Sequence, residues 1–296
     1  MLGGVLFMKI GLALSGGGAK GAAHIGVLKA LEEEKIKVSY ISGTSSGSIV
    51  AALYAASYTP DEINMIFSSY CKYIGRVDKK IPFKFIKSLF TGKLYIVGFS
   101  KGDNLENLMY RYLFKKGVED ISSAKIPIAI PVVDIKSEKT IYYLNQKILD
   151  NNIKRSEELR YRGKLSSIVR ASASFPALFE PKVYDGSILI DGGVSANTPV
   201  RILKNMGADK VISVTFDNTE DINQNNYNIA SITLKAFEIM GQNINEDEIA
   251  LSDINITPKM KNGFLLDCSK ISMYVNAGYI ATKNCIKEIK EKLNIN

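Results

Sequence analysis

The chain has 296 residues, 23% of them charged and 46% hydrophobic, an ordinary globular make-up that excludes a mainly disordered, collagen-like or coiled-coil chain. This length supports a core without a metal or disulfide staple, and one domain over 8–296 is expected, with its core over about 10–216 and a helical or mixed extension over 217–296. Thirty-eight basic against thirty acidic residues leave +8, which favours anionic surfaces, lipid headgroups and nucleic acid alike.

In chain order, residues 1–7 can be read as upstream of a native start at Met8, since Leu2-Gly3-Gly4 can be encoded by a purine-rich stretch like a bacterial ribosome-binding site. The apolar start carries no preceding basic region of the signal-peptide kind. No window supplies the about 20 apolar residues of a membrane span, so a cytoplasmic protein is expected. Lys9–Ser15 is a short apolar run and predicts a buried strand. Gly16–Gly21 (GGGAKG) is a glycine-rich turn, and Ala22–Lys35 predicts a helix with Ile25, Leu28 and Leu31 at helical spacing. Val38–Ile41 predicts a second strand that breaks at Gly43, followed by a buried helix over Ser46–Ser57. Strand, turn and helix repeated in that order predict an α/β fold with a parallel sheet and helices packed on it.

Further along, helices are predicted over Asp61–Tyr73 and Asp103–Phe114, and strands over Ile126–Ile135 and Thr140–Leu144. The prolines in Ile126–Ile135 demote it toward an edge or irregular strand. Strands are predicted over Ser187–Ile190 and Lys210–Phe216, with a helix opening at Asn197-Thr198-Pro199. A loop over Asp217–Asn228 precedes helices over Ile229–Asn243 and Ile271–Leu293.

Three motifs carry chemistry. Gly16-Gly17-Gly18-Ala19-Lys20-Gly21 matches the glycine pattern of dinucleotide sites, but those also use a carboxylate at the end of the second strand. Val38–Ser42 supplies none. Lys20 is also not in a Gly-Lys-Ser/Thr context. The glycines still allow backbone N–H groups to converge at a helix start, where an oxyanion or a phosphate is stabilised. Gly43-Thr44-Ser45-Ser46-Gly47 matches the nucleophile elbow, strand before and helix after. Ser45 would project its hydroxyl from the turn toward the positive end of the helix dipole. The bland alternative is a turn with Ser45 as helix cap. Asp191-Gly192-Gly193 follows a strand, placing a carboxylate at the sheet's carboxyl end, where α/β sites form.

With these three motifs in this order, and with the block Ala171–Pro181 (ASASFPALFEP), the chain resembles the patatin-like phospholipases over roughly Ile10–Phe216. The resemblance implies a three-layer α/β/α fold with a mainly parallel sheet, and lipid acyl hydrolysis by a Ser–Asp dyad. It makes Ser45 the nucleophile, Asp191 the general base and Gly16–Gly21 the oxyanion loop. Gly43 and Gly47 then frame the elbow, and Gly192 and Gly193 complete the base motif. Lys20 stands where the family often has Arg or Lys. The substrate expected is a phospholipid or lysophospholipid ester, with no cofactor, no metal and no nucleic acid. Readings to set beside it are an esterase on small soluble esters and a non-catalytic lipid- or nucleotide-binding protein.

Lys72–Lys93 carries seven basic residues against Asp78 alone, interleaved with Ile81, Phe83, Phe85, Ile86, Leu89 and Phe90. That mixture suits an anionic lipid surface, or a solvated basic helix with its apolar side on the core. His24 is the only histidine. A Ser–His–Asp triad would have to use it, yet its place just after the glycine loop, at a helix start, disfavours imidazolium. Cys71, Cys268 and Cys285 show neither metal spacing nor a disulfide framework, which points to a reducing compartment.

Overall fold

A computed structural model of the chain describes residues 8–71, 91, 98–149, 152–216, 229–260 and 267–294. The fold opens with two strand–helix units. Strands β1 (Ile10–Leu14) and β2 (Val38–Gly43) lie side by side and parallel. β1 leads through a 3-10 turn over Gly18–Ala22 into helix α1 (Ala23–Glu33), and β2 leads into helix α2 (Ser46–Ala55). β1 is buried on both faces. Ile10, Leu12 and Leu14 join Ile25, Leu28 and Leu31 in one core cluster, while Ala13 joins a second cluster. Burial on both faces makes this strand an unbroken apolar run rather than an alternating one.

The sheet continues with β4 (Ile128–Asp134), β5 (Lys139–Leu144), β6 (Glu157–Arg160), β10 (Lys210–Val214) and β11 (Ile254–Ile256), in the order β11–β10–β1–β2–β4–β5–β6. The run from β11 to β4 is parallel, as is β5 with β6, and β4 pairs with β5 antiparallel. A hairpin of β8 (Lys182–Tyr184) and β9 (Ser187–Asp191) joins through β9, antiparallel to β4. β3 (Gly98–Ser100) and β7 (Ala177–Phe179) make a separate parallel pair.

Helices cover both faces. On the side of the larger cluster lie α1, α2, α3 (Pro60–Cys71), α4 (Asp103–Lys115), α5 (Leu165–Ser172) and α8 (Ile271–Asn284). α6 (Val200–Met206) fills the other face with Ala13, Tyr40, Ala129 and Tyr142. The long helix α7 (Ile229–Ala250) packs against α6 and the Gly192–Val194 turn. This is the three-layer, mainly parallel arrangement expected from the sequence. Among the described residues no helix is long and apolar enough to cross a membrane.

Three expectations need correction. The proline-containing strand, expected at an edge or as an irregular strand, is interior and irregular: β4 has β5 along one side and, with a break between them, β2 and β9 along the other. Pro131 fits because it falls where β2 has ended, after Ala129, and β9 begins pairing only at Val132. No ladder bond is asked of its missing N–H there. The predicted Ile271–Leu293 helix is two helices, α8 and α9 (Ile286–Lys292), broken at Cys285. There the Thr282 hydroxyl and the Cys285 thiol bond back to the Gly278 and Ala281 carbonyls, which compete with the helix ladder. Finally, α7 runs to Ala250, well past Asn243. Most of Lys72–Lys93 and the whole of the Asp217–Asn228 loop lie outside the described residues.

Candidate active site

Ser45 sits in the turn from β2 to α2 with φ 52° and ψ −121°, a strained conformation for a residue with a side chain. The turn is sharp because Gly43 and Gly47 let backbones touch. A Cβ on Gly43 would lie 2.3 Å from the Gly47 carbonyl oxygen, and one on Gly47 would lie 2.5 Å from that of Leu14. The turn is pinned further by the Thr44 hydroxyl, which donates to the Ala196 carbonyl at 2.7 Å, and by the Ser48 hydroxyl, which donates to the Ser45 carbonyl at 2.6 Å. Ser45 is half-buried at the N-terminus of α2, where the helix dipole favours negative charge developing on its oxygen.

Asp191 ends β9 and is 1% exposed. Its Oδ1 accepts the Gly193 N–H at 2.8 Å, while Oδ2 has no hydrogen-bond partner among the described residues. The Ser45 hydroxyl is close enough to favour the carboxylate, though outside hydrogen-bond geometry with Oδ2. Burial dominates and raises the carboxyl from 3.8 to about 7; the Gly193 N–H and the Ser45 hydroxyl pull the other way. The fold thus brings together two residues 146 positions apart in sequence. Of the base motif's glycines, Gly192 has its backbone against Pro131, and Gly193 lies beside the Asp191 carboxyl and the Asn197 side chain.

The glycine loop passes over the elbow. A Cβ on Gly16 would be 3.3 Å from that of Ser45, and one on Gly21 would be 2.5 Å from that of Ser46. Gly18 has φ 56°, in the left-handed region. Gly18 and Ala19 lead the 3-10 turn, where N–H groups have no intrahelical partner, and the Lys20 N–H already bonds to the Gly17 carbonyl at 3.1 Å. Ala19 and Lys20 are buried.

His24 lies behind this loop. Its Nε2 donates to the Ser15 carbonyl at 2.8 Å, and its ring meets Phe216 at 4.8 Å. A carbonyl can only accept, so the proton sits on Nε2. Full burial lowers its pKa to about 4, against the opposing effect of the Ser15 carbonyl. His24 is a neutral brace of the loop.

Four residues outside the three motifs also hold the site. Asn197 accepts the Gly16 N–H through Oδ1 at 3.1 Å, tying the glycine loop to the turn after Asp191. Ser172 accepts the Ser45 N–H at 3.1 Å and donates to the Pro131 carbonyl at 2.8 Å. The Ser174 carbonyl accepts the Asp191 N–H at 3.1 Å. Arg170, 3% exposed, donates to the Lys101 and Glu180 carbonyls and to the Ser174 hydroxyl. Ser172 and Ser174 belong to the ASASFP block, whose run of small residues was the available signal.

The sequence model of the patatin-like phospholipase family matches residues 12–204. Lysophospholipase NTE1 of Kluyveromyces lactis is 27% identical over 281 residues, 95% of this chain and 16% of that protein. The patatin-like phospholipase domain-containing protein ZK370.4 of Caenorhabditis elegans is 32% identical over 227 residues, 74% of this chain and 14% of that protein. The chain therefore spans a small part of these relatives. Among solved structures, the ExoU–SpcU complex of the Pseudomonas aeruginosa type III secretion system matches with a TM-score of 0.52 and 14% identity, over 97% of this chain and 53% of that one. That likeness is one of fold.

Proposed function

The chain belongs to the patatin-like phospholipase family, and we propose that it hydrolyses fatty-acyl esters of phospholipids or lysophospholipids through Ser45 and Asp191. The observation that carries this reading is a fully buried carboxyl beside a serine hydroxyl at a strained elbow, and that burial raises the carboxyl to about 7. A general base works best with a pKa near the working pH. Ionised Asp191 takes the Ser45 proton as Oγ attacks the ester carbonyl carbon. The N–H groups of the glycine loop that lead the 3-10 turn, Gly18 and Ala19, take the charge that develops on the carbonyl oxygen, since those of Gly16 and Lys20 are bonded to Asn197 and Gly17. The protonated Asp191 then gives its proton to the leaving alkoxide, and water repeats the sequence on the acyl-enzyme. A fluorophosphonate should label Ser45 in the wild type; nucleotide-dependent thermal stabilisation without labelling would favour a binding protein instead.

Gly17→Val tests the oxyanion role of the loop. A Cβ at Gly17 would fall 2.4 Å from the Phe216 ring, so the loop has to shift. Losing one oxyanion donor costs about 3 kcal/mol, so kcat should fall by about 100-fold with KM little changed. A raised KM with normal kcat would make the loop a substrate-binding element.

Membrane contact is proposed from sequence alone, through Lys72–Lys93. Replacing Lys79, Lys80, Lys84 and Lys87 by Gln should weaken binding to anionic vesicles and make the remainder less salt-sensitive. Hydrolysis of a soluble short-chain ester should hardly change. Equal loss on both substrates would assign the segment a structural role.

A further inference from the structure

We infer that Ser172 is a positioning residue whose hydroxyl fixes the spacing of Ser45 and Asp191 by filling a gap in the sheet between the strands that carry them. The inference rests on the dyad reading above.

The gap follows from the strand pairing. One side of β4 meets β2 only at Ile128 and Ala129, and meets β9 only from Val132 onward. Between them, at Ile130 and Pro131, that side has no strand. β2 leads from this point into Ser45, and β9 ends here on Asp191, which pairs with Val132. Both residues of the dyad therefore leave their strands at the same opening.

Ser172, at the C-terminal end of α5 and fully buried, fills it. Its oxygen accepts the Ser45 N–H at 3.1 Å, and its proton goes to the Pro131 carbonyl at 2.8 Å. In a strand the N and C=O of one residue face the same side. Pro131 thus presents a carbonyl to the gap and no N–H that would need a partner. Gly192 closes the other end, for a Cβ there would lie 2.3 Å from that same carbonyl oxygen. Two residues on, the Ser174 carbonyl receives the Asp191 N–H at 3.1 Å. One short segment, Ser172–Ser174, therefore touches the backbone of both Ser45 and Asp191. Pro131, Ser172 and Gly192, unrelated in sequence, become parts of one spacer.

The strain at Ser45 makes the restraint matter, because such a conformation persists only where its surroundings over-determine it. Without the Ser172 hydroxyl the Ser45 N–H loses its partner and the elbow can relax away from Asp191. On a soluble ester, Ser172→Ala should lower kcat about ten- to a hundredfold, the cost of a small misplacement, with KM within about twofold. Since the Ser45 hydroxyl favours ionised Asp191, the acid limb of the pH–rate profile should also move to higher pH. Ser172→Thr, which keeps the hydroxyl, should restore most of kcat and the original profile. Wild-type kcat and an unmoved acid limb in Ser172→Ala would overturn the inference. So would unfolding of Ser172→Ala, or a loss that Thr does not rescue and that leaves the profile in place, since either makes Ser172 a brace of the core. Failure of the dyad reading would look different: Ser45→Ala would keep its turnover whatever Ser172 does.

Discussion

Asp191→Asn should lower kcat/KM on a soluble ester by several orders of magnitude, about 5 kcal/mol or more of barrier, while remaining folded. Asn keeps the shape and can still accept the Gly193 N–H through its oxygen, but it cannot take the Ser45 proton. His24→Asn should stay within about tenfold, roughly 1.4 kcal/mol. His24 uses its protonated nitrogen on the Ser15 carbonyl and is held neutral by burial, so taking a further proton near neutrality is unfavourable. Collapse of His24→Asn together with survival of Asp191→Asn would assign the base to the histidine. Two pH signatures accompany the prediction. Activity should rise with pH through about 7 as Asp191 ionises. The contribution of Asp191 to stability should move the opposite way. The unfolded carboxyl releases its proton near 3.8 and the folded one near 7, so between those values the folded state holds the extra proton and stability falls as pH rises. Buried His24, lowered from 6.5 to about 4, adds a slope of the opposite sign that both proteins share, so the test is the difference: thermal unfolding at pH 4, 6 and 8 should show the wild type losing stability relative to Asp191→Asn as pH rises.

Ser45→Ala should abolish turnover and covalent labelling by a fluorophosphonate, a loss of at least about four orders of magnitude for a nucleophile. The fold should be nearly unaffected. The turn is held by the backbone contacts of Gly43 and Gly47, by Thr44, and by the bond from the Ser45 N–H to Ser172, all of which remain in the variant. Alanine at φ 52° carries the same backbone strain as serine. Residual turnover in a folded variant would remove Ser45 from the chemistry, and labelling at another serine would relocate it.

The first half of the fold was legible because its signals are local. β1 and β2 are apolar runs ended by glycines, and each glycine cluster marks a turn whose neighbours leave no room for a side chain. The edge half of the expectation for β4 fails because the rule that prolines belong on edge strands assumes a fully paired interior strand. Pro131 instead falls where one neighbouring strand has ended and the next has not begun. β3, β7, β8 and β11 have three residues each, too few for an alternating pattern. α5 leaves no clear pattern for a related reason: it has eight residues, all buried, including Ser166, Ser167, Arg170 and Ser172, so polarity does not mark its outer face. The motif residues Ser45 and Asp191 could be named from sequence, whereas their supports could not. Asn197 reaches Gly16 across 181 positions and Ser172 reaches Ser45 across 127. Neither contact leaves a local pattern, and only the folded sheet shows why an asparagine and a serine stand there.

The most direct measurement is incubation of the wild type and Ser45→Ala with a mixture of phospholipids and lysophospholipids, followed by mass analysis of the products. The wild type should release free fatty acid together with the matching deacylated phospholipid, and Ser45→Ala should release neither. Intact lipids with the wild type, or equal fatty-acid release by both proteins, would contradict a lipid acyl hydrolase working through Ser45.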